Sequence, residues 1–262
     1  MVDKGTTRDL DAEWVEKNYR SSWKEKFEED GFLVIRDLIQ DERILQSYIK
    51  SYEELLKSSE TSGHRYDLGS HQEGEKDGEK QENICQIMWP SVYDETLLER
   101  PIFKRLLLVV RRILGDDMDF DFDMLINKFP YSGTSTPWHQ DESYWPDMPD
   151  KRAVSCWVAL DDATVENGCM WFVKGSHREG SLRPHRRVKE GHYARCTDSC
   201  SEKEGQPQPL TRGSCTLHHG LTLHYTRGNS TGTNRRAYIL NFRPQEMVKW
   251  ERDHGFDHGK TK

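Results

Sequence analysis

The hydrophobic positions near the start of the chain follow a helical period. Residues 9–30 and 41–58 are predicted to be helices, the second because apolar side chains recur at three- and four-residue spacings. A short apolar stretch over residues 31–35 predicts a strand between them. Residues 101–114 predict a further helix with a single apolar face, formed by Phe103, Leu106, Leu107, Val110 and Ile113.

After residue 120 the pattern changes to that of strands. Five segments are apolar or alternating, rich in β-branched and aromatic residues, and separated by turn sequences such as Asn167-Gly168. These predicted strands are residues 121–128, 153–160, 169–174, 214–219 and 236–242. Short strands with long crossovers, preceded by helices, favour a mainly β fold: a two-sheet jelly roll with flanking N-terminal α-helices.

The same pattern predicts one domain over residues 1–262. Its predicted parts are a helical cover over 1–60, a polar loop or lid over 58–83, a jelly-roll core over 84–245 and a C-terminal tail over 246–262. The polar segment is rich in Ser, Gly, Glu and Lys with almost no aliphatic residues. Loops of this length in a compact domain are either disordered or functional lids, and the sequence favours neither over the other.

Composition restricts the partners of the protein. The chain is 32% charged with a net charge of −7, so it lacks the basic footprint of a nucleic-acid binder. No apolar run has the length of a membrane span, and the N-terminus lacks the apolar stretch of a signal peptide. We therefore expect a cytoplasmic protein that acts on a small molecule, without nucleic-acid or membrane partners. The sequence gives no indication of oligomeric state.

Candidate chemistry is concentrated at His139 and Asp141. Because alternate residues of a strand share a face, one intervening residue places both side chains on the same side. A second histidine from a distant strand would complete a 2-His-1-carboxylate facial triad, which binds Fe(II) and leaves positions open for other ligands. His218, His219 and His224 are the candidates for that third ligand.

Several ordered motifs around these residues make the chain resemble the phytanoyl-CoA dioxygenase family of Fe(II)/2-oxoglutarate-dependent oxygenases. The resemblance covers roughly residues 28 to 245. The motifs are Met124-Leu125-Ile126-Asn127-Lys128, His139-Gln140-Asp141, Trp157, Asn167-Gly168-Cys169, Gly175-Ser176-His177, Leu223-His224-Tyr225-Thr226, Gly228-Asn229-Ser230 and Arg235-Arg236-Ala237.

The resemblance implies a double-stranded β-helix that holds the metal at its open mouth. It also implies that His139, Asp141 and His224 bind Fe(II), because the family's spacing between the distal histidine and the cosubstrate-binding arginine pairs His224 with Arg235. The implied reaction uses O2 and 2-oxoglutarate, and it releases succinate and CO2. His219 is then predicted to be a supporting or packing residue, and His218 is predicted to face away from the site.

Further residues are implied to contact 2-oxoglutarate. Arg235 would bind its distal carboxylate bidentately, and Thr226 would donate a hydroxyl hydrogen bond to the same group. Met124 and Trp157 match positions that line the cosubstrate pocket, although both also suit an ordinary apolar core. Gln86 stands where the peroxisomal member of the family places a lysine, so this chain has a neutral group at that position.

The substrate is not fixed by these motifs. Aromatic residues and one basic residue are candidates for its pocket, namely Trp89, Tyr93, Trp138, Tyr144, Trp145 and Arg152. The basic run 183–189 leaves an acyl-CoA open as substrate beside small organic molecules. A cupin-like binding protein, or a metalloenzyme that is not an oxygenase, remains the alternative, and neither would need Arg235.

Overall fold

The computed structural model describes residues 9–68, 83–190 and 194–261. Within these residues the α-helices are α1 (Leu10–Asn18), α2 (Ser22–Asp30), α3 (Glu42–Lys57), α4 (Pro90–Tyr93), α5 (Pro101–Leu114) and α6 (Gln245–Asp253). The strands of the same residues are β1 (Phe32–Ile35), β2 (Arg65–Asp67), β3 (Ile84–Met88), β4 (Met118–Lys128), β5 (Thr136–His139), β6 (Val154–Ala159), β7 (Met170–Phe172), β8 (Arg186–Arg187), β9 (Arg195–Cys196), β10 (Gln206–Gln208), β11 (Cys215–His219), β12 (His224–Thr226) and β13 (Arg235–Pro244).

Two antiparallel sheets form the body of the protein. The large sheet has the strand order β1-β11-β6-β13-β4-β3-β2, and the small sheet has the order β10-β7-β12-β5. The two sheets form the double-stranded β-helix that the sequence predicted, with helices at the N-terminus.

The large sheet separates two hydrophobic cores. In β6, Val154, Cys156 and Val158 belong to the core that packs against the helices, whereas Trp157 and Ala159 belong to the core between the two sheets. This alternation follows from the two-residue period of a strand. Polar residues at the second set of positions therefore lie between the sheets, where the candidate site is located.

The predicted helix over residues 9–30 is two helices in the structure. The first ends because Tyr19 adopts an extended conformation (φ −60°, ψ 140°), and the second ends at Gly31. Gly31 has a φ of +79°, and a Cβ atom there would lie 2.3 Å from Nδ1 of His177. Glycine is thus required both by the left-handed backbone and by the close approach of His177.

The segments predicted as a polar loop and as a C-terminal tail both contain regular structure. Part of the proposed polar loop forms a 3-10 turn at Glu60–His64 and then β2, which lies at the edge of the large sheet. Residues 69–82, the remainder of the lid-or-disorder prediction, lie outside the described residues. The predicted C-terminal tail begins as α6, which packs against β4 and β13. Among the described residues, none of the helices combines the length and the apolar character needed to cross a bilayer.

We predict that the stability of the protein depends on pH through Asp123, a buried residue of the large sheet. Tyr238 and Ser91 donate hydrogen bonds of 2.7 and 2.9 Å to this buried carboxyl group, yet burial raises its pKa to about 7. A folded-state pKa above the unfolded value of about 3.9 contributes stability at low pH that is lost as the pH rises through 7. We expect this contribution to fall by on the order of 2 kcal/mol between pH 5 and pH 8.

Urea unfolding of the wild type and of Asp123→Asn at both pH values measures this effect. The asparagine keeps an acceptor for Tyr238 but does not titrate. The wild type should therefore lose stability relative to the variant as the pH rises. A stability difference between the two proteins that is the same at pH 5 and pH 8 would refute the assignment.

Candidate active site

His139, Asp141 and His224 converge between the two sheets. His139 ends β5 and lies directly opposite His224, the first residue of β12. Asp141 follows β5 at the start of a 3-10 turn. Its Oδ1 lies 3.6 Å from Nε2 of His139 and 3.4 Å from Nε2 of His224, and one ligand atom from each of the three residues lies within 4.8 Å of the others. These residues form a compact set of donors for a single metal ion.

Backbone carbonyls orient both histidines. Nδ1 of His139 donates to the carbonyl of Pro137 at 2.8 Å, and Nδ1 of His224 donates to the carbonyl of Thr222 at 3.0 Å. With the proton held on Nδ1, the lone pair of each Nε2 is directed towards Asp141 and is free to bind a metal. The histidines therefore have the tautomer that a metal site requires.

The electrostatic environment keeps these groups in the forms that bind metal. Burial lowers the pKa of His139, and the neighbouring His224 lowers it further. Burial alone would raise the pKa of Asp141, but interactions with His224, His139 and His218 outweigh burial and hold that pKa well below its usual value. A neutral imidazole and an ionised carboxylate are the ligand forms of these residues, so they suit Fe(II).

A cavity of about 420 Å³ extends from these residues to Arg235. Arg235 is 1% exposed on β13, and its Cζ lies 5.2 Å from the ring centre of Trp157. Its Nε and Nη1 have no partner within the described part of the chain, nor has the buried hydroxyl of Thr226 on the same cavity wall. Burial lowers the pKa of Arg235 to about 10. The cavity thus presents unpartnered donors that suit a carboxylate.

Two other residues predicted to lie near 2-oxoglutarate also face the cavity. Met124 and Gln86 line its wall. Nε2 of Gln86 lies 2.9 Å from Sδ of Met88. The structure places all five predicted cosubstrate contacts on the cavity wall, and their individual roles stay predictions.

Of the predicted substrate-pocket residues, Tyr144 and Trp145 line the cavity. Trp89 and Tyr93 do not, and their placement in the pocket is corrected. Trp89 donates from Nε1 to the carbonyl of Asp257 at 3.1 Å, and Tyr93 forms a hydrogen bond of 2.5 Å with Nδ1 of His64. Neither aromatic ring is among the residues that line the cavity.

Trp138 and Arg152 are likewise corrected. The indole of Trp138 stacks on Tyr225 at 5.0 Å and points away from the cavity, because successive strand residues face opposite sides and His139 takes the inward side. Arg152 forms ion pairs with Asp117 and Asp150, both at 2.6 Å, outside the cavity. Its charge is already neutralised there.

The orientations predicted for His218 and His219 are reversed in the structure. His218 lies in the site, with Nε2 3.1 Å from Oδ2 of Asp141. His219 faces the helical side, against Phe27 and His177. The prediction was wrong because a turn separates β11 from β12, so the alternation of one strand does not continue into the next.

Two polar residues beside Asp141 were not predicted. Ser155 donates a 2.6 Å hydrogen bond to Oδ2 of Asp141, and Asn241 lies 2.7 Å from the Ser155 hydroxyl. The strand pattern contained a usable signal, because both residues are polar at positions that otherwise belong to the core between the sheets.

The last described segment also contributes to the cavity wall, through Phe256, His258 and Gly259. The ring of His258 stacks on Phe122 with centroids 3.8 Å apart. Nε2 of His258 lies 3.1 Å from Asp121 and 3.3 Å from Glu251. These histidine and carboxylate side chains form a second cluster with metal-ligand residue types.

Two arginine side chains form ion pairs with the carboxylates of that second cluster. Arg243 contacts Asp121 at 2.8 Å, and Arg252 contacts it at 2.5 Å and Glu251 at 3.2 Å. The carboxylates are therefore already paired with guanidinium groups. We interpret the cluster as an ion-pair network that fixes the cavity wall.

The chain is similar to known proteins over most of its length. The family model of phytanoyl-CoA dioxygenase matches residues 27–237. The chain is 25% identical to the phytanoyl-CoA dioxygenase domain-containing protein 1 homolog of Caenorhabditis elegans, over 87% of this chain and 92% of the relative. It is 27% identical to peroxisomal phytanoyl-CoA dioxygenase of Homo sapiens, over 82% of this chain and 66% of the relative.

Solved structures show the same architecture. EvdO2 from Micromonospora carbonacea var. aurantiaca superposes with a TM-score of 0.73 at 30% identity, covering 86% of this chain and 90% of EvdO2. A second structure of EvdO2, complexed with 2-oxoglutarate, gives a TM-score of 0.72.

The fold, the two-histidine, one-carboxylate set and the cavity with its buried arginine define a non-haem iron, 2-oxoglutarate-dependent dioxygenase. Fe(II), 2-oxoglutarate and O2 are the cofactor and co-substrates of this class, as the sequence predicted. The chain belongs to the phytanoyl-CoA dioxygenase family.

Proposed function

We propose that this enzyme hydroxylates an unactivated C–H bond of a small organic or acyl substrate while 2-oxoglutarate is converted to succinate and CO2. The observation that carries the proposal is the unpartnered guanidinium of Arg235 in the same cavity as His139, Asp141 and His224. Iron with 2-oxoglutarate supplies the oxidising chemistry once bound, and the protein supplies binding, orientation and the exclusion of water.

Residues of both sheets would take part in binding the metal and the cosubstrate. His139 and His224, on the small sheet, and Asp141, in the turn that follows it, would hold the metal. Arg235 on the large sheet would bind the distal carboxylate of 2-oxoglutarate with its two free donors, and Thr226 would add a hydroxyl. Such a carboxylate also compensates a buried charge that has no other partner in the described residues.

The presence of Asp141 supports hydroxylation over halogenation. A halogenase of this superfamily would have a small residue at that position to make room for a halide. Here the carboxylate is present, and its Oδ1 faces the Nε2 atoms of both histidines. We therefore propose that oxygen, rather than a halide, is transferred to the substrate.

The walls of the cavity favour a largely apolar substrate. Much of the lining beside the metal ligands is apolar or aromatic, including Met88, Phe122, Trp145 and Phe256. A site of this kind binds an apolar skeleton and uses a few polar groups for orientation.

The basic run 183–189 gives little support to a CoA thioester. Arg183 is paired with Glu179 and Glu204, and Arg186 is paired with Asp198. These side chains are not available as a free cluster for several phosphates. We therefore favour a small organic substrate over an acyl-CoA.

A cupin-like protein that uses another metal for different chemistry is the alternative. Such a protein would need the three ligands but would have no use for unpartnered donors at Arg235 and Thr226. A buried arginine left without a partner is costly, so its presence favours the oxygenase.

Anaerobic titration of the metal-free protein with Fe(II), and then with 2-oxoglutarate, tests the proposal. We expect the weak visible charge-transfer band of a 2-oxo acid chelated to facial-triad iron, and its loss in His224→Ala. Succinate release can then be used to screen apolar substrates. Absence of the band with iron demonstrably bound would point to the cupin-like alternative.

A further inference from the structure

The two carboxylate oxygens of Asp141 have different surroundings. Oδ1 faces the Nε2 atoms of His139 and His224. Oδ2 points the other way, 2.6 Å from the hydroxyl of Ser155 and 3.1 Å from Nε2 of His218. One oxygen is therefore directed at the candidate metal position, while the other is occupied by protein donors.

The donors to Oδ2 come from one row across the large sheet. His218 on β11 pairs directly with Ser155 on β6, and Ser155 pairs directly with Asn241 on β13. All three residues are at most 2% exposed. Three adjacent strands thus place three polar side chains in one row. This row faces the carboxylate of Asp141, which lies in the turn after β5.

The donors and acceptors of these side chains fix the direction of each hydrogen bond in this row. An ionised carboxylate only accepts, so both Ser155 and His218 must donate to Asp141. The single hydroxyl hydrogen of Ser155 then cannot also serve Asn241, and Ser155 must accept from that amide. The two ends of a carboxamide have the same shape, so this order places Nδ2 of Asn241 beside Ser155.

The contact with Asp141 also decides which ring nitrogen of His218 carries hydrogen. Its Nε2 must carry hydrogen, because it faces an acceptor. Its Nδ1 is buried and has no partner within residues 9–68, 83–190 and 194–261. The ring packs 5.2 Å from that of Phe172. The side chain of His218 therefore makes one hydrogen bond in the described structure, to Asp141, and its ring also lies 4.4 Å from that of His224.

We propose that His218 is a positioning residue for the metal site, acting with Ser155 and Asn241. By holding Oδ2, it keeps Asp141 in the orientation that offers only Oδ1 to the metal. This inference rests on the proposed metal site at His139, Asp141 and His224. Loss of a partner that orients a metal ligand typically costs 10- to 100-fold in metal affinity, about the size of effect we expect here.

The variants His218→Phe and His218→Gln distinguish the effect of the N–H donor of His218 from the effect of its aromatic ring. Phenylalanine keeps an aromatic ring against Phe172 without the N–H, whereas glutamine restores a side-chain N–H donor. The probe is Co(II), measured by competition with a chelator and by its visible ligand-field spectrum. The matched control is His254→Phe, which removes an exposed histidine at the end of α6.

We expect His218→Phe to bind Co(II) roughly 10- to 100-fold more weakly with a changed spectrum, and His218→Gln to recover part of the affinity. His254→Phe should behave as the wild type. Wild-type affinity and spectrum in His218→Phe would overturn the inference, as would a glutamine variant no better than phenylalanine. A wild-type protein that fails to bind Co(II) would instead reject the proposed metal site itself.

Thermal unfolding of each metal-free variant shows whether it is folded. Should His218→Phe fail to fold, Ser155→Ala carries the test, because it removes the other donor to Oδ2 without touching a ring. Its metal affinity should fall in the same range, and an unchanged affinity would overturn the inference.

Discussion

Replacing Arg235 with alanine is expected to weaken 2-oxoglutarate binding by roughly 30-fold or more while leaving the metal bound. Truncating one partner of a buried, hydrogen-bonded charge pair costs about 2–5 kcal/mol, and each 1.4 kcal/mol is a factor of ten. The metal ligands do not contact Arg235 in the structure, so their affinity for iron should be retained. Anaerobic titration with 2-oxoglutarate at saturating Fe(II) gives both affinities.

Arg236→Ala is the matched control for this variant. Arg236 is the next residue of β13, but it faces the opposite side, where it is paired with Asp161 at 2.8 Å and Glu53 at 2.9 Å. Its replacement removes an arginine from the same strand without changing the cavity, so cosubstrate affinity should be close to that of the wild type. Equal 2-oxoglutarate affinity in wild type and Arg235→Ala would contradict the assigned role.

Replacing Asp141 with alanine is expected to abolish turnover. The change removes the charged ligand of the set and leaves His139 and His224 facing each other, with ring centroids 4.0 Å apart, without the carboxylate between them. Loss of a partner that merely orients a ligand costs 10- to 100-fold, so loss of the ligand itself should cost more than about 100-fold. Succinate release under saturating iron and 2-oxoglutarate measures the effect.

The control for Asp141→Ala is Asp147→Ala, a few residues further along the chain. Asp147 is exposed and pairs with Lys151 at the surface, so its loss should leave succinate release unchanged. Succinate formation by Asp141→Ala at the wild-type rate would show that this carboxylate is not a metal ligand.

The parts of the fold and site that the sequence predicted are those set by local periodicity. The five segments predicted as strands correspond to β4, β6, β7, β11 and β13, because runs of alternating or apolar residues report burial directly. The pair His139 and Asp141 could be placed together because one residue separates them. His224 needed the spacing of the family, since its contact with His139 arises from pairing between strands far apart in sequence.

The predictions that were wrong concern side chains whose positions depend on contacts between segments distant in sequence. His218 and His219 were exchanged because a turn interrupts the alternation before β12. Trp89 and Tyr93 were placed in the pocket because aromatic side chains suit both a pocket and a core, and only the packed structure distinguishes the two. The contribution of His258 was missed because it depends on an ion-pair cluster with Asp121 and Glu251, which are distant from one another in sequence.

The buried guanidinium of Arg235 also affects the folding of the enzyme. A buried side chain with unpartnered donors opposes folding, and an apolar residue there would make the cofactor-free protein more stable. The enzyme therefore trades stability for function at this position. If 2-oxoglutarate pairs with Arg235 as proposed, it would remove that penalty only in the folded state, so added iron and 2-oxoglutarate should raise the stability of the enzyme.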